Sequence, residues 1–148
     1  MIPLRPLILA LGLIWPIAAA TATEPAEPVL FHNAADVTLE EFAWVNRPVV
    51  VFADSPADPR FIHQMRVLNA LPQELIDRDV VVITDTDPAA ESAIRMTLRP
   101  RGFMLVLLGK DGQVKLRKPQ PWDVRELTRV IDKDPQRQQE VEDRRDSK

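Results

Sequence analysis

The 148-residue chain contains no cysteine. Thiol redox chemistry, a nucleophilic cysteine and cysteine-bound metals are therefore excluded for this chain alone. The absence is informative because the first 22 residues read as an export signal. Arg5 and the amino terminus form a short positive region, residues 7–15 are apolar, and Ala20-Thr21-Ala22 is a small-x-small cleavage site. The competing reading is a membrane anchor, but the apolar stretch falls short of the roughly 20 residues a spanning helix needs, and Pro16 interrupts it. The expectation is an exported protein, periplasmic in a Gram-negative source and otherwise secreted, with no stable membrane span after cleavage. Disulfides are available in those compartments. This chain uses none, so its stability must come from its core.

Other absences narrow the chemistry further. No Gly-x-Ser-x-Gly elbow surrounds Ser55, so a serine hydrolase is not indicated. The two histidines, His32 and His63, show no His-x-x-x-His spacing, and there is no EF-hand loop. No metal or other cofactor is expected. Gly109-Lys110 lacks the earlier glycine and the following Ser/Thr of a phosphate-binding loop and reads as a strand–strand turn. Nucleic acid is an unsuitable partner. With Arg5 removed, the chain carries 18 basic and 22 acidic residues, and it offers no aromatic platform for stacking bases.

What is present begins with the stretch 102–118. Residues 103–108 form a near-continuous apolar run, as in a strand buried on both faces. Gly109-Lys110-Asp111-Gly112 supplies an Asp-Gly pair that tolerates the positive φ of a tight hairpin turn. Residues 114–118 alternate apolar and basic, which predicts a second arm at a sheet edge. Two further apolar runs, 49–53 and 80–84, predict buried strands. Three Asp-Pro pairs, at Asp58, Asp87 and Asp134, carry the signature of an N-cap followed by proline at the first helical position. Phe61, Met65, Leu68 and Leu71 give the first helix an apolar face, and Pro72 kinks or restarts it. The second helix is expected from Asp87 to about Leu98. Val124, Leu127, Val130 and Ile131 form the stripe of a third. Thr38 and Glu41 have capping-box spacing. Trp44, Trp122 and the phenylalanines read as core or core rim.

Crossover helices between strands make neighbours parallel, and a hairpin makes them antiparallel. The fold class is therefore α/β: a thioredoxin-like three-layer sandwich with a mixed central sheet, β-α-β-α-β-β-α, and helices on both faces. The expected organisation is a signal peptide over 1–22, a linker or N-terminal extension over 23–37, the domain over 38–134, and a polar tail over 135–148 that is a solvated helix or disordered.

Several segments together resemble an exported family of unknown function, DUF4174. They are Leu39-Glu40-Glu41-Phe42-Ala43-Trp44 with Asn46-Arg47, the strand into Asp54, Asp77-Arg78-Asp79, Gly102-Phe103 through Gly109-Lys110-Asp111-Gly112 to Lys115, and Ile131-Asp132 with Pro135 and Arg137. The resemblance implies a thioredoxin-like domain related to domains of some vertebrate extracellular proteins. It brings no activity with it. In thioredoxin-like proteins the reactive thiols follow the first central strand. Here Asp54, Ser55 and Asp58 occupy that loop. The cis-proline expected before the hairpin's first strand aligns with Met104, and the nearest proline is Pro100.

Charge supplies the positive hint. Residues 24–91 hold 13 acidic and 4 basic side chains, whereas 92–133 hold 10 basic and 4 acidic ones. Arg95, Arg99, Arg101, Lys110, Lys115, Arg117 and Lys118 form a candidate binding set for an acidic protein or anionic ligand. The plainer reading is an edge strand protected from aggregation by its cations. The leading expectation is a binding module without redox chemistry. An enzyme with a non-thiol hydrolase or isomerase site at 54–58, and a stress-related structural protein, are the alternatives.

Overall fold

Three apolar runs make the middle of the sheet, because a strand covered on both faces needs apolar side chains at every position. In the computed structural model, which describes residues 30–148, they are β2 (Arg47–Phe52), β3 (Val80–Asp85) and β4 (Met104–Leu108). β2 and β3 are parallel, with Val49 opposite Val82 and Phe52 opposite Asp85. β4 runs antiparallel to β2, with Val50 opposite Val106. β5 (Val114–Lys118) returns from the hairpin turn. The turn closes with Gly109 N–H donating to the Gln113 carbonyl and Gly112 at φ +77. A Cβ on Gly109 would lie within 2.6 Å of Asp111 and Lys115 atoms, which explains the glycine there. The expected signal peptide lies outside the described residues. Among those residues no helix is long and apolar enough to cross a membrane.

The sheet has one more strand than expected. β1 (Phe31–Asn33) pairs parallel with β3, and the strand order is β1-β3-β2-β4-β5. These residues fall in the segment 23–37, which the sequence assigns to a linker or N-terminal extension. A three-residue strand is too short to display a periodicity. It is held by its neighbour instead, with His32 opposite Ile83.

Side-chain alternation sends successive residues of each strand to opposite faces. Val49, Val51, Val82, Leu105 and Leu107 meet Leu68 of α1 (Pro59–Ala70), Leu75 of α2 (Pro72–Ile76) and Leu127 and Ile131 of α4 (Val124–Asp132). Val50, Phe52, Ile83 and Val106 meet Ile94 and Leu98 of α3 (Ala93–Leu98) and Phe42 of the 3₁₀ turn Leu39–Phe42. Each such side chain, fully buried, contributes about 1.5–3 kcal/mol.

Local signals behave as the sequence predicts at most helix starts. The Asp58, Asp123 and Asp134 carboxylates accept the N–H of Arg60, Arg125 and Gln136. Glu41 Oε1 accepts the Thr38 N–H at 2.8 Å. Pro72 ends α1 and begins α2. The helix expected over 87–98 is interrupted. A 3₁₀ turn (Pro88–Ala90) stops at Glu91 in left-handed conformation, and Ser92 restarts the chain as the cap of α3, its Oγ accepting the Arg95 N–H at 3.0 Å. The tail folds as α5 (Pro135–Asp146).

Candidate functional site

The seven cations singled out in the sequence do not gather on one surface. β2 and β3 end at the same edge as the beginning of β4 and the end of β5, which defines one pole of the sheet. The hairpin turn lies at the opposite pole. Six residues of strand, at about 3.3 Å each, separate the two by roughly 20 Å. Arg95, Arg99, Arg101, Arg117 and Lys118 belong to the first pole, with loop 54–58. Lys110 and Lys115 belong to the second.

A register shift at Leu107/Leu108 explains part of the division. Leu107 faces Leu116 and Leu108 faces Val114, so Lys115 is an extra residue in the edge strand. A bulge of this kind re-aims a side chain. Strict alternation would put Lys115 with Arg117. Instead Lys115 Nζ meets Asp111 at 3.3 Å and Asp134 at 3.4 Å, whereas Arg117 NH1 donates to the Leu98 carbonyl at 2.7 Å.

Charge pairing sorts the set further. Arg95 bridges the ends of β2 and β3. Its guanidinium meets Asp85 Oδ1 at 2.8 Å and donates to the Ala53 carbonyl at 3.0 Å. The Asp85 side chain is 4% exposed and also accepts from Ser92 Oγ at 2.5 Å. Burial works to raise the Asp85 pKa, but the hydrogen bonds from Arg95 and Ser92 outweigh it and hold it below the usual carboxylate range. Arg95 is therefore a structural clamp whose charge is spent inside the fold. Lys110 is likewise engaged, 2.9 Å from Asp79 and 3.3 Å from Glu140.

Four cations of the set have no carboxylate partner among the described residues. Arg117 donates to the Leu98 carbonyl, next to Arg99, and Lys118 Nζ sits 4.8 Å from the Trp122 ring centroid. Arg99 and Arg101 are exposed and flank Pro100 on the way into β4. Arg99 caps α3 in left-handed conformation at φ +50, with its N–H on the Arg95 carbonyl at 2.8 Å. All four lie at the pole where α3 ends, β4 begins and β5 stops; Arg117 turns toward the end of α3, beside Arg99, whereas Lys118 turns to the other face of the sheet, over Trp122.

The loop that would carry thiols is occupied by local bonds. Ser55 Oγ accepts the Ala57 N–H at 3.1 Å, forming a serine turn. Asp58 caps α1 and holds the Arg60 guanidinium at 2.9 Å; the Arg60 hydrogen bond keeps its carboxyl below the ordinary range. Ser55 Oγ is thus engaged by a backbone N–H, and Asp58 by the α1 N-terminus and Arg60. His63 is exposed on α1, and no group of three or more His, Asp or Glu side chains placed to hold a metal ion occurs among the described residues. Met104, aligned with the proline position, opens β4 opposite Phe52, and no described peptide bond is cis.

Two features escaped the sequence reading. Trp44, read as core or core rim, is 70% exposed with φ +63, and Val45 beside it is also exposed. Trp122, by contrast, is half-buried against the core. The second feature is an ion network at the hairpin pole. Arg47 at the start of β2, Asp79 before β3, Lys110 in the turn, and Arg137, Glu140 and Arg144 of α5 interlock there. The signal was in plain view, since Arg47, Asp79, Lys110 and Arg137 all lie within the segments that carry the family resemblance.

Comparison with known proteins agrees with this architecture. The family described as "Domain of unknown function (DUF4174)" matches residues 38–140. No curated protein matches. Thioredoxin peroxidase I of Plasmodium yoelii is similar in structure, with TM-score 0.50 and 15% identity over 65% of this chain and 76% of that one. The mitochondrial 2-Cys peroxiredoxin of Plasmodium falciparum gives 0.43 and 16% over 65% and 79%. StoA of Bacillus subtilis gives 0.39 and 9% over 58% and 82%. At such identities the likeness concerns the fold, which is thioredoxin-like.

Proposed function

Because this chain belongs to the DUF4174 family, whose description assigns no activity, we propose its function from its own geometry: it is a binding module that recognises an acidic segment of a partner protein. The observation that carries this reading is the corner at the end of α3 with Arg99, Arg101 and Arg117, which have no carboxylate partner among the described residues; Lys118 stands at the same pole on the opposite sheet face. The other three cations of the set, Arg95, Lys110 and Lys115, are neutralised within the fold. Uncompensated arginines are suited to bidentate contact with carboxylates. Loop 54–58 lies at the same pole and supplies the rim. Export, expected from residues 1–22, belongs to the same reading, and the partner is then extracytoplasmic.

The rival enzymatic reading has less support. Ser55 and Asp58 are held in local hydrogen bonds at an exposed loop.

Fluorescence anisotropy with a labelled oligoglutamate peptide tests the proposal on the full chain. Arg99→Glu together with Arg101→Glu should weaken binding about tenfold or more, which corresponds to about 1.4 kcal/mol. Lys115→Gln, at the other pole, should leave it unchanged. Binding should also fall with added salt. Equal affinity of the double variant and the parent chain, or no binding by either, would remove the corner from consideration.

A further inference from the structure

Among the described residues Glu140 is the carboxylate that forms an ion pair with Arg47, and three cations converge on it. Arg47 NH2 lies 2.9 Å away, Lys110 Nζ 3.3 Å and Arg137 NH1 3.5 Å. Arg47 is also held by contacts that do not involve Glu140. It opens β2, its side chain is 3% exposed, and its NH1 donates to the Arg78 carbonyl at 3.1 Å. Lys110 is fixed by the hairpin turn and by Asp79. Within the cluster, four cations (Arg47, Lys110, Arg137 and Arg144) pair with two carboxylates, Glu140 and Asp79, and Asp132 acts on Arg47 and Arg137 from outside ion-pair distance. The receptor side of this arrangement, Arg47 with Lys110, belongs to the sheet. Glu140 is delivered by a separate helix.

That helix is attached in an unusual way. α5 has one aliphatic side chain beyond Pro135, Val141, and it is only half-buried. Apolar burial, which fastens most helices to their domains, contributes little here. The attachments are ionic or hydrogen-bonded: Glu140 to Arg47 and Lys110, Arg144 to Asp79 at 3.1 Å, and Arg137 to the Asp77 carbonyl at 3.0 Å. Twelve residues are marginal as a helix when undocked.

We propose that Arg47 and Lys110 form a carboxylate-binding site at the hairpin pole, that α5 fills it in cis with Glu140, and that a carboxylate from a partner protein takes its place when α5 lifts. α5 is then an autoinhibitory strap. The site is independent of the arginine corner at the other pole and stands whether or not that corner binds.

Acetate is the probe, because it supplies a carboxylate small enough to enter the space left by Glu140→Ala. In chloride, thermal unfolding of the full-length Glu140→Ala chain should occur several degrees below that of the parent. Replacing chloride by about 0.2 M acetate at equal ionic strength should recover at least half of that loss, while the parent responds equally to both salts. Hydrogen exchange on the milder Glu140→Gln chain provides the second measurement. Amides of α5 should exchange at least tenfold faster, roughly, with those of β2–β4 unchanged. Acetate acting no better than chloride on Glu140→Ala would overturn the site. Unchanged protection of α5 in Glu140→Gln would overturn the strap, and it decides the matter if Glu140→Ala does not fold.

Discussion

Trp44 holds a left-handed backbone and keeps most of its ring in water. For a bulky residue this torsion is an outlier, costing an L-residue about 1–2 kcal/mol. Neighbouring bonds impose it. The Trp44 N–H donates to the Lys110 carbonyl at 2.7 Å, and Val45 and Asn46 both donate to the Phe42 carbonyl. Trp44→Gly should therefore be nearly neutral: relief of the torsion offsets the roughly 0.5–1 kcal/mol that glycine's freer unfolded chain costs. A urea midpoint within experimental spread of the parent is the expected result. A loss near the 3–5 kcal/mol typical of a buried aromatic truncation would contradict the exposed placement. The sequence misled at this residue for a definite reason. Aromatic character argues for burial, but the turn that lifts Trp44 outward is fastened by a hairpin 66 positions later, counting from Trp44 to Lys110.

At the scale of elements, the apolar face read for α1 is only partly right. Leu68 is buried and Phe61 and Met65 are half-buried, but Leu71 is exposed. The position between them belongs to Gln64, 0% exposed. Its Nε2 donates to the Trp122 carbonyl at 3.0 Å, and its Oε1 accepts the Trp122 N–H at 2.7 Å. One side-chain amide thus pairs with the backbone of the segment that leads into α4, as a strand would. Gln64→Leu removes both bonds and leaves the Trp122 N–H and carbonyl without them. A destabilisation of about 2–4 kcal/mol is expected by chemical denaturation, since each stranded backbone group costs about 1–3 kcal/mol. A neutral effect would mean that Trp122's backbone reaches water. Periodicity alone could not identify Gln64, because helical spacing reports which positions face inward but not that a polar residue will find a partner there. The Lys115 bulge is a similar case: the alternation of residues 114–118 was legible, the inserted residue was not.

At the scale of the molecule, folding joins the acidic early part of the chain to the basic later part at a few buried or half-buried ion pairs. Acids from residues 24–91 pair with bases from later segments: Asp79 with Lys110 and Arg144, Asp85 with Arg95. The early bases Arg47 and Arg78 take Glu140 and Asp132. These contacts set a pH dependence. For Asp132, the hydrogen bond from Arg78 leads in holding its pKa down. For Glu140, burial pushes the pKa up but Arg47 and Lys110 outweigh it, as Arg95 and Ser92 do for Asp85. All three are lowered relative to the unfolded chain. Their contribution is then complete above the ordinary carboxylate range and is lost as pH falls through the folded-state values. Urea midpoints should be level from about pH 7 to 5 and should drop steadily below about pH 4.5. Stability that rises on acidification would contradict these pairings.

The missing thiols, the three apolar runs, the aspartate caps and the Asp-Gly turn were determined by sequence alone, because each depends on residue type or on neighbours a few positions away. They were enough for the α/β class and the order of the central elements. The tertiary structure decided which cations are spent and which are free. Arg47 finds Glu140 from 93 positions away and Asp79 finds Lys110 from 31. Ion pairing acts through space over a few ångströms, so it is settled only once the strands and helices have brought distant residues together.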